Sequence, residues 1–483
     1  MHDAPLMLSV SGARGIVGRT MTPAVAADYA AAFGSFIRES TGQPSPVMCV
    51  GRDSRPSGEM LAAAAVAGLV SVGCKVVEIG VVATPTVAVM IGEYRASGGM
   101  AITASHNPIE WNGLKSLNAD GVAPPPRDVE KILARFRAKD VVFAPVERLQ
   151  PIVRDGTAND KHIERVLAIV DVELIRRARL RVVLDSVNGG GCVSGRMLLE
   201  RLGCEVVHLN GEPTGHFAHT PEPTKENLVD LSRVMAEASR TGRQAACGFA
   251  QDPDADRLAI VDENGRYIGE EYTLALAARR VLQRDTSTDQ HVNMSKGGAD
   301  EIVLAANLST SRMIDDVAAK FGGSGARVLR TAVGEANVVE AMKPSGAIIG
   351  GEGNGGVILP GVCWVRDSLA AMALVLELLA AERKPLSAIV DEMPRYAMVK
   401  HKMDLSAIGG REAVEPALAR VKQAFAGKRI NDADGVRIDV DAGWVHLRPS
   451  NTEPIIRLIA EAKSDAEAWS LARSVADASG LAI

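Results

Sequence analysis

One pattern recurs three times along this chain: an apolar strand leads into a polar loop, a helix, a glycine and a second strand. In the first copy these segments span residues 47–50, 59–72 and 75–79 for the strand, helix and second strand. The other two copies begin at residues 181 and 302. Alternating strands and helices predict mostly parallel sheets, which bind ligands at the carboxyl ends of their strands. We therefore expect an α/β fold of three related units, with the polar loops at the ligand-binding edge.

After about residue 385 the pattern changes. It predicts, in order, a helix, a strand pair, a third strand and a closing helix, at residues 413–424, 435–440, 443–448, 455–462 and 466–478. This order is typical of a smaller α+β domain. A chain of 483 residues is long enough for about three or four domains. We expect four, at residues 1–155, 156–255, 256–385 and 386–483.

Composition narrows the class of protein. Hydrophobic residues make up 47% of the chain and charged residues 23%, which excludes extensive disorder. The net charge of −5 leaves no global excess of cations for nucleic acid or an anionic membrane. The six cysteines form no CxxC pair, which favours buried, reduced thiols over a zinc knuckle or a disulfide framework. The N-terminus does not resemble a signal peptide and the longest apolar helical run, 369–381, is too short to span a bilayer, so we expect a soluble cytoplasmic protein.

Ser105 lies in the segment Thr-Ala-Ser-His-Asn-Pro, directly after a strand-like run at 99–102. We expect its hydroxyl to be exposed where the strand meets the loop. A free serine is a weak nucleophile and needs an activating neighbour. No GxSxG elbow surrounds it, which disfavours a Ser-His-Asp hydrolase. Taken alone, the segment is also typical of a turn that caps the next element.

Three carboxylates alternate in a second segment, at Asp252, Asp254 and Asp256, between two apolar runs. In a tight turn they can converge on one hard divalent cation, and oxygen ligands suit Mg²⁺. The spacing of an EF-hand is absent from the sequence that follows. A solvated turn is the alternative, but it would not need acids flanked so closely by apolar strands. The pattern therefore predicts a magnesium site.

Two further loops suit a phosphorylated sugar. Near the C-terminus, guanidinium, hydroxyl and amide donors that fit the oxygens of a phosphate crowd into one loop and the strand after it: Arg448, Ser450, Asn451, Thr452 and Arg457. The alternative is a polar hairpin loop with an incidental arginine. The glycine-rich run at 350–356 permits close backbone approach, and its Glu352 and Asn354 can hydrogen-bond the hydroxyls of a sugar.

Together, and in this order, the four segments resemble those of the α-D-phosphohexomutase superfamily, which includes phosphoglucomutase, phosphomannomutase and phosphoglucosamine mutase. The resemblance spans nearly the whole chain. It implies three related α/β domains with mixed, mostly parallel sheets and a smaller C-terminal α+β domain, arranged around a central cleft. It also implies reversible phosphoryl transfer between positions 1 and 6 of a hexose phosphate, with hexose 1,6-bisphosphate as intermediate and activator.

The resemblance assigns roles to individual residues. Ser105 would carry the phosphoryl group, bridged by Mg²⁺ to the three aspartates. Arg14 would face the transferring group, and Lys115 is a candidate for general acid/base assistance at the sugar hydroxyl. Arg257 is implied as an active-site cation, and His106 adjoins the serine. Without the resemblance, Arg14 and Lys115 would be ordinary surface residues.

The sugar loop departs from many relatives, which read Gly-Glu-x-Ser-Gly-His where this chain has neither the serine nor the histidine. The run Gly-Gly-Glu-Gly-Asn-Gly-Gly is similar to that of chains described as phosphoglucosamine mutases. We therefore favour a phosphoglucosamine mutase, with a phosphomannomutase/phosphoglucomutase as the alternative. Two rival classes are a metal-dependent sugar phosphohydrolase and a catalytically silent sugar-phosphate-binding protein. The expected partner is a small sugar phosphate, and the expected state is a monomer or homodimer.

Overall fold

The computed structural model of the chain describes residues 5–286, 301–322, 325–405, 410–450 and 455–481. Four sheets organise these residues. The three strand–helix–strand copies anticipated from the sequence are confirmed: 47–52, 181–185 and 302–307 are strands, each followed by a helix and a parallel neighbour. Within the described ranges, no helix is both long and apolar enough to cross a membrane.

The first unit is built on a seven-stranded sheet in the order β1-β2-β6-β5-β3-β4-β7. Its strands are β1 Met7–Ser9, β2 Gly12–Ile16, β3 Val47–Arg52, β4 Lys75–Val81, β5 Gly98–Ile102, β6 Trp111–Asn118 and β7 Val153–Arg154. Its helices are α1 Pro23–Thr41, α2 Gly58–Ser71, α3 Thr84–Glu93 and α4 Pro126–Ala138. The expected glycine after the helix is Gly73, whose φ of 88° is a left-handed backbone that turns the chain into β4.

The second unit has four strands in the order β11-β10-β8-β9. They are β8 Arg181–Asp185, β9 Glu205–Leu209, β10 Cys247–Gln251 and β11 Leu258–Asp262, with helices α5 Ala158–Leu167, α6 Val172–Ala178, α7 Cys192–Arg201 and α8 Val229–Arg240. Strands β10 and β11 form an antiparallel hairpin. The boundary expected at residue 255 falls inside this hairpin, so we extend the second unit to Asp262.

The third unit repeats this plan in the order β13-β12-β14-β15. Its strands are β12 Ile302–Asn307, β13 Ala326–Thr331, β14 Ile349–Glu352 and β15 Gly356–Ile358. Its helices are α9 Glu271–Thr286, α10 Met313–Phe321, α11 Glu335–Ser345, α12 Ser368–Glu382 and α13 Leu386–Asp391. Helix α13 packs in the same hydrophobic core as this sheet, so we place the end of the third unit after it rather than at residue 385.

That core is shared between the second and third units. It contains Val182 and Leu184 of β8 together with Leu304 of β12. Helix α12 lies within it and is buried from residue 368 to residue 380. The two units are therefore held together by continuous apolar packing, and the loops at their sheet edges have fixed positions relative to each other.

The fourth unit is an antiparallel sheet in the order β16-β20-β19-β18-β17, which confirms the smaller α+β domain. Its elements are β16 Ala397–Asp404, α14 Val414–Ala424, β17 Arg429–Asn431, β18 Val436–Val440, β19 Gly443–Pro449, β20 Ile455–Ala462 and α15 Asp465–Ser479. The sequence pattern did not predict β16 or β17. Single-turn 3₁₀ helices lie at Val146–Arg148 and Arg411–Ala413.

In the first three units a functional loop occupies the equivalent place in the sheet. In each unit a strand with a parallel neighbour turns back into an antiparallel partner, and the loop between these two strands carries the polar segment. The antiparallel partner is the edge strand in the second and third units, whereas β6 of the first unit also pairs with β2. These loops are 103–110 between β5 and β6, 252–257 between β10 and β11, and 353–355 between β14 and β15. The fold therefore repeats one loop position three times.

Candidate active site

Ser105 follows β5 and lies against the acidic loop of the second unit. Its Oγ is 3.2 Å from Oδ2 of Asp252, and its left-handed φ of 51° is rare for a residue with a side chain. The expectation of an exposed hydroxyl is wrong, because only 4% of the residue is accessible. The acidic loop packs over the hydroxyl, and a buried arginine holds the backbone of the serine loop by hydrogen bonds.

That arginine is Arg55, which the sequence analysis did not select. Its side chain is fully buried and pairs with the carboxylate of Asp53 at 3.1 Å. The guanidinium also donates four hydrogen bonds of 2.6–2.9 Å to backbone carbonyls of the serine loop: those of Ser105, Asn107, Pro108 and Trp111. The signal available in the sequence was its position just after β3, at the edge where parallel sheets bind ligands. Arg55 sets the path of the loop that presents the serine.

The three aspartates converge as predicted. One oxygen from each lies within 4.8 Å of the others, and all three residues are buried. Asp252 Oδ1 accepts hydrogen bonds from the amides of Asp256 and Arg257 at 3.1 Å. Ala255, which lies between Asp252 and Asp256, has a left-handed φ of 52° that tightens the turn.

Two of the carboxylate oxygens have no hydrogen-bond partner among the residues that the structure describes. They are the buried Oδ1 atoms of Asp254 and Asp256, and this is a costly state for a carboxylate. Mg²⁺ binds oxygens at about 2.1 Å, so ligands on opposite sides of one ion lie about 4.2 Å apart. The oxygens of this group lie within 4.8 Å of one another, which is close to that distance. The donor set and its unpaired oxygens therefore fit a divalent cation.

The other carboxylate oxygens are held by donors from two different units. Asp254 Oδ2 accepts Nζ of Lys115 at 2.6 Å and Oγ1 of Thr84 at 2.7 Å, both from the first unit. Asp256 Oδ2 accepts Lys115 at 3.3 Å and Nη2 of Arg366, from the third unit, at 2.7 Å. Lys115 was predicted at this site; Thr84 and Arg366 were not.

Charge at the turn is only partly compensated. Burial raises the pKa of Asp252 well above its usual range, and the carboxylates of Asp256 and Asp254 add to the effect. Burial acts the same way on Asp254, but there the Lys115 ammonium and its hydrogen bond outweigh it and lower the pKa. Burial would lower the pKa of Lys115, yet the two acids raise it. Because a raised pKa favours a proton on Asp252, the turn has too little positive charge to balance its three carboxylates.

The serine loop contains His106, contacts Arg14 and lies near Arg257. Arg14 Nη1 donates to Oδ1 of Asn107 at 2.7 Å, and His106 Nδ1 lies 3.4 Å from the serine Oγ. His106 and Arg257 each lie 4.0 Å from the carboxylate of Glu222. Burial, with the positive charges of Arg257 and Arg14, lowers the pKa of His106 to about 3. The imidazole is therefore neutral at physiological pH.

Glu352 of the glycine-rich loop is buried and already has four donors from the protein. Its Oε1 accepts Nδ2 of Asn307 at 2.8 Å and the amide of Gly334 at 3.2 Å. Its Oε2 accepts Nη1 of Arg366 at 2.7 Å and Nδ2 of Asn354 at 3.4 Å. Because Arg366 also holds Asp256, one guanidinium joins the glycine-rich loop to the acidic loop. The short polar stretch before α12 was the available signal for this arginine.

The fourth unit brings two guanidinium groups together. Arg448 and Arg457 are directly opposite in the antiparallel pair β19–β20, so their side chains point to the same face. The Ser450 amide donates to the carbonyl of Ile455 at 2.8 Å and closes the loop between the strands. Asn451 and Thr452 lie outside the described residues.

This unit docks on the third. Asp434 Oδ2 accepts Nε of Arg448 at 2.8 Å and the amide of Val333 at 3.0 Å, and the next amide, that of Gly334, donates to Glu352. The two predicted substrate loops are thus connected through consecutive backbone amides.

Comparison with known families matches every unit of the fold. Four models described as phosphoglucomutase/phosphomannomutase domains cover the chain in order: alpha/beta/alpha domain I at residues 7–142, domain II at 160–265, domain III at 270–396 and the C-terminal domain at 399–478. Each match coincides with one of the four sheets. The predicted order of three related domains and a smaller fourth is confirmed.

Individual relatives agree over nearly the full length. A phosphoglucomutase/phosphomannomutase of Thermococcus kodakarensis is 37% identical, over 95% of this chain and 94% of that protein. A "probable phosphoglucosamine mutase" of Methanopyrus kandleri is 36% identical, over 95% of both chains. Among solved structures, a phosphoglucomutase/phosphomannomutase family protein from Burkholderia thailandensis is similar with a TM-score of 0.79 and 25% identity, over 98% of this chain and 97% of that one. The chain therefore belongs to the phosphoglucomutase/phosphomannomutase family of α-D-phosphohexomutases.

Proposed function

We propose that the protein is a phosphohexomutase in which Ser105 carries the phosphoryl group between positions 1 and 6 of a hexose phosphate. The observation that carries this proposal is the 3.2 Å contact between the serine Oγ and Asp252, inside a turn of three converging acids. A serine that only capped a turn would have no reason to meet a metal-binding group on another unit.

Asp252, Asp254 and Asp256, with an oxygen on Ser105, are the residues that would hold Mg²⁺. When bound, this ion supplies the positive charge that a phosphoryl group beside three carboxylates requires. A phosphoserine carries nearly two negative charges at neutral pH, so the local excess of negative charge is largest in the phosphorylated enzyme.

The chain's own residues then transfer the proton and stabilise the negative charge. The phosphoryl group leaves the Ser105 oxygen for a hydroxyl oxygen of a hexose monophosphate. Lys115 holds a proton at Nζ, since the two acids beside it raise its pKa, and as general acid it donates that proton to the Ser105 oxygen. The proton released by the sugar hydroxyl then restores the ammonium. Neutral His106 can accept a hydrogen bond from the serine, while Arg14 and Arg257 add positive charge. The bisphosphate then turns over and returns its other phosphoryl group.

Substrate binding is assigned to the other two loops. Arg448, Ser450 and Arg457 would hold the phosphate far from the serine, together with Asn451 and Thr452 as the sequence predicts. Glu352 and Asn354 would orient the sugar, with Glu352 held in place by Arg366. Because only 4% of Ser105 is accessible in this structure, a sugar phosphate reaches the serine only when the loops around it rearrange.

Glucosamine phosphate is the proposed sugar. The glycine-rich loop carries an amide where many relatives have a serine, and several of the similar proteins, among them those of Methanopyrus kandleri and Methanosarcina barkeri, are named probable phosphoglucosamine mutase. The second candidate is a phosphomannomutase/phosphoglucomutase, favoured by the name of the Thermococcus kodakarensis relative.

A coupled assay separates these substrates. Glucosamine 6-phosphate, glucose 1-phosphate and mannose 1-phosphate are each tested with Mg²⁺ and a trace of hexose 1,6-bisphosphate as activator. We expect the protein to isomerise one or more of these three sugar phosphates, with the highest kcat/KM for glucosamine 6-phosphate. Release of inorganic phosphate without isomerisation would instead identify a phosphohydrolase, and binding without either product would identify a silent binding protein.

A further inference from the structure

His162 lies in α5, at the junction of the first three units, and is fully buried. Its Nδ1 is 2.9 Å from Oγ1 of Thr86 in α3, and its Nε2 is 3.0 Å from Oδ2 of Asp367, the N-cap of α12. These partners are 76 and 205 residues away along the chain. A carboxylate can only accept, so Nε2 donates to Asp367. The ring thus connects a helix of the first unit to the start of a helix of the third.

Both partners are close neighbours of side chains that hold the acidic loop. Two residues before Thr86, Thr84 donates its hydroxyl to Asp254 Oδ2 at 2.7 Å and its amide to the Asp254 carbonyl at 2.9 Å. One residue before Asp367, Arg366 donates to Asp256 Oδ2 at 2.7 Å. The histidine therefore lies between the two segments that approach the aspartates from opposite units.

Together with Lys115, which donates to both Oδ2 atoms, Thr84 and Arg366 determine which oxygens are left for a cation. Among the described residues, the Oδ1 atoms of Asp254 and Asp256 have no hydrogen-bond partner. Groups that hold a metal ligand in one orientation change metal affinity by about 10- to 100-fold when they are removed. The spacing between α3 and residue 366 therefore affects how the carboxylate oxygens of the cation site are oriented.

We propose that His162 is a positioning residue for this cation site, fixing Thr84 and Arg366 so that the unpaired oxygens of Asp254 and Asp256 face one ion. The inference rests on the proposed function, in which the acidic loop binds a divalent metal. A residue that only filled the core would not need hydrogen bonds from both ring nitrogens to two different units.

Docking of α5 does not depend on this ring alone. Arg165, one turn along the helix, pairs with Glu93 of α3 at 2.7 Å and donates to the carbonyl of Val362 at 3.3 Å. These contacts join the same two segments from the protein surface. Substitution of His162 should therefore alter the spacing between α3 and residue 366, while α5 remains in place.

The test measures metal binding directly. Mn²⁺ is titrated into the full-length protein and the free ion is followed by electron paramagnetic resonance, in the absence of substrate. We expect His162→Leu to weaken binding about 10-fold, with the KM for the sugar phosphate at saturating metal unchanged. His162→Asn retains an amide near Nδ1 and His162→Gln one near Nε2, so each should lose less than the leucine variant.

Trp444→Phe is the matched control for stability. It removes a buried 2.7 Å hydrogen bond to Glu461 in the fourth unit, and we expect it to lower the melting temperature without changing Mn²⁺ affinity. If the wild-type protein binds Mn²⁺ and all folded His162 variants bind it equally well, the inference is wrong while the metal site stands. If the wild-type protein binds no Mn²⁺, the metal assignment itself fails, and the inference with it.

Discussion

Replacing Arg55 with methionine removes the group that shapes the Ser105 loop. The guanidinium holds four backbone carbonyls and the Asp53 carboxylate, all within the first unit. Breaking a buried ion pair by deleting one partner costs about 3–5 kcal/mol. Asp53 keeps hydrogen bonds from Thr103 Oγ1 and from the backbone amide of residue 55, but four backbone carbonyls lose their donor. We therefore expect a cost of at least the lower end of that range, about 3 kcal/mol.

Hydrogen exchange read by mass spectrometry measures this cost where it arises, in peptides that cover β5, the serine loop and β6. A loss of about 3 kcal/mol corresponds to roughly a hundredfold faster exchange through local opening. Because a displacement of about 1 Å at a reacting group can cost about 100-fold in rate, kcat should fall by a similar factor. Chemistry and local stability should therefore decline together.

Arg52→Met is the matched control. Arg52 lies three residues earlier, and its guanidinium donates a single long hydrogen bond of 3.4 Å to the Asp53 carbonyl. Its substitution should change stability by no more than about 0.5 kcal/mol. If Arg55→Met exchanged and turned over at the same rates as Arg52→Met, the serine loop would be held by something other than this arginine, and the reasoning would be refuted.

Three other outcomes test the proposed site. Ser105→Ala should lose nearly all mutase activity and the phosphoryl mass increment seen in the intact wild-type protein, while circular dichroism and substrate binding stay unchanged; normal turnover would exclude a phosphoserine. Arg457→Ala or Ser450→Ala should raise the KM for the sugar phosphate, and an unchanged KM would mean that this loop does not bind the substrate. Folding lowers the pKa of His106 from 6.5 to about 3, so the wild-type protein should lose stability as the pH falls from 6.5 toward 4, and His106→Asn should lose less; equal loss in both proteins would contradict the lowered pKa of this imidazole.

Local patterns predicted the parts of this molecule that depend on neighbours in sequence. The three strand–helix–strand copies, the convergence of the acids in one turn and the antiparallel fourth unit all follow from periodicity and spacing. Arg55 and Arg366 were missed because the contacts that matter at the site, from Arg55 to the serine-loop carbonyls and from Arg366 to Asp256, join residues 50 or more positions apart and form only in the folded chain. The burial of Ser105 was missed for the same reason: the loop that covers it comes from another unit.

The arrangement of the site follows from the repetition of one topology. In each α/β unit a strand with a parallel neighbour is followed by an antiparallel strand, and the loop between the two carries polar side chains. The first loop provides Ser105, the second provides the three acids, and Glu352 stands at the strand end just before the third. The chemistry therefore depends on how the units are joined, and two cations take part in this: Lys115 links the first unit to the second, and Arg366 links the second to the third. A substitution at either should disturb the position of loops in two units at once, which a substitution within one loop cannot do.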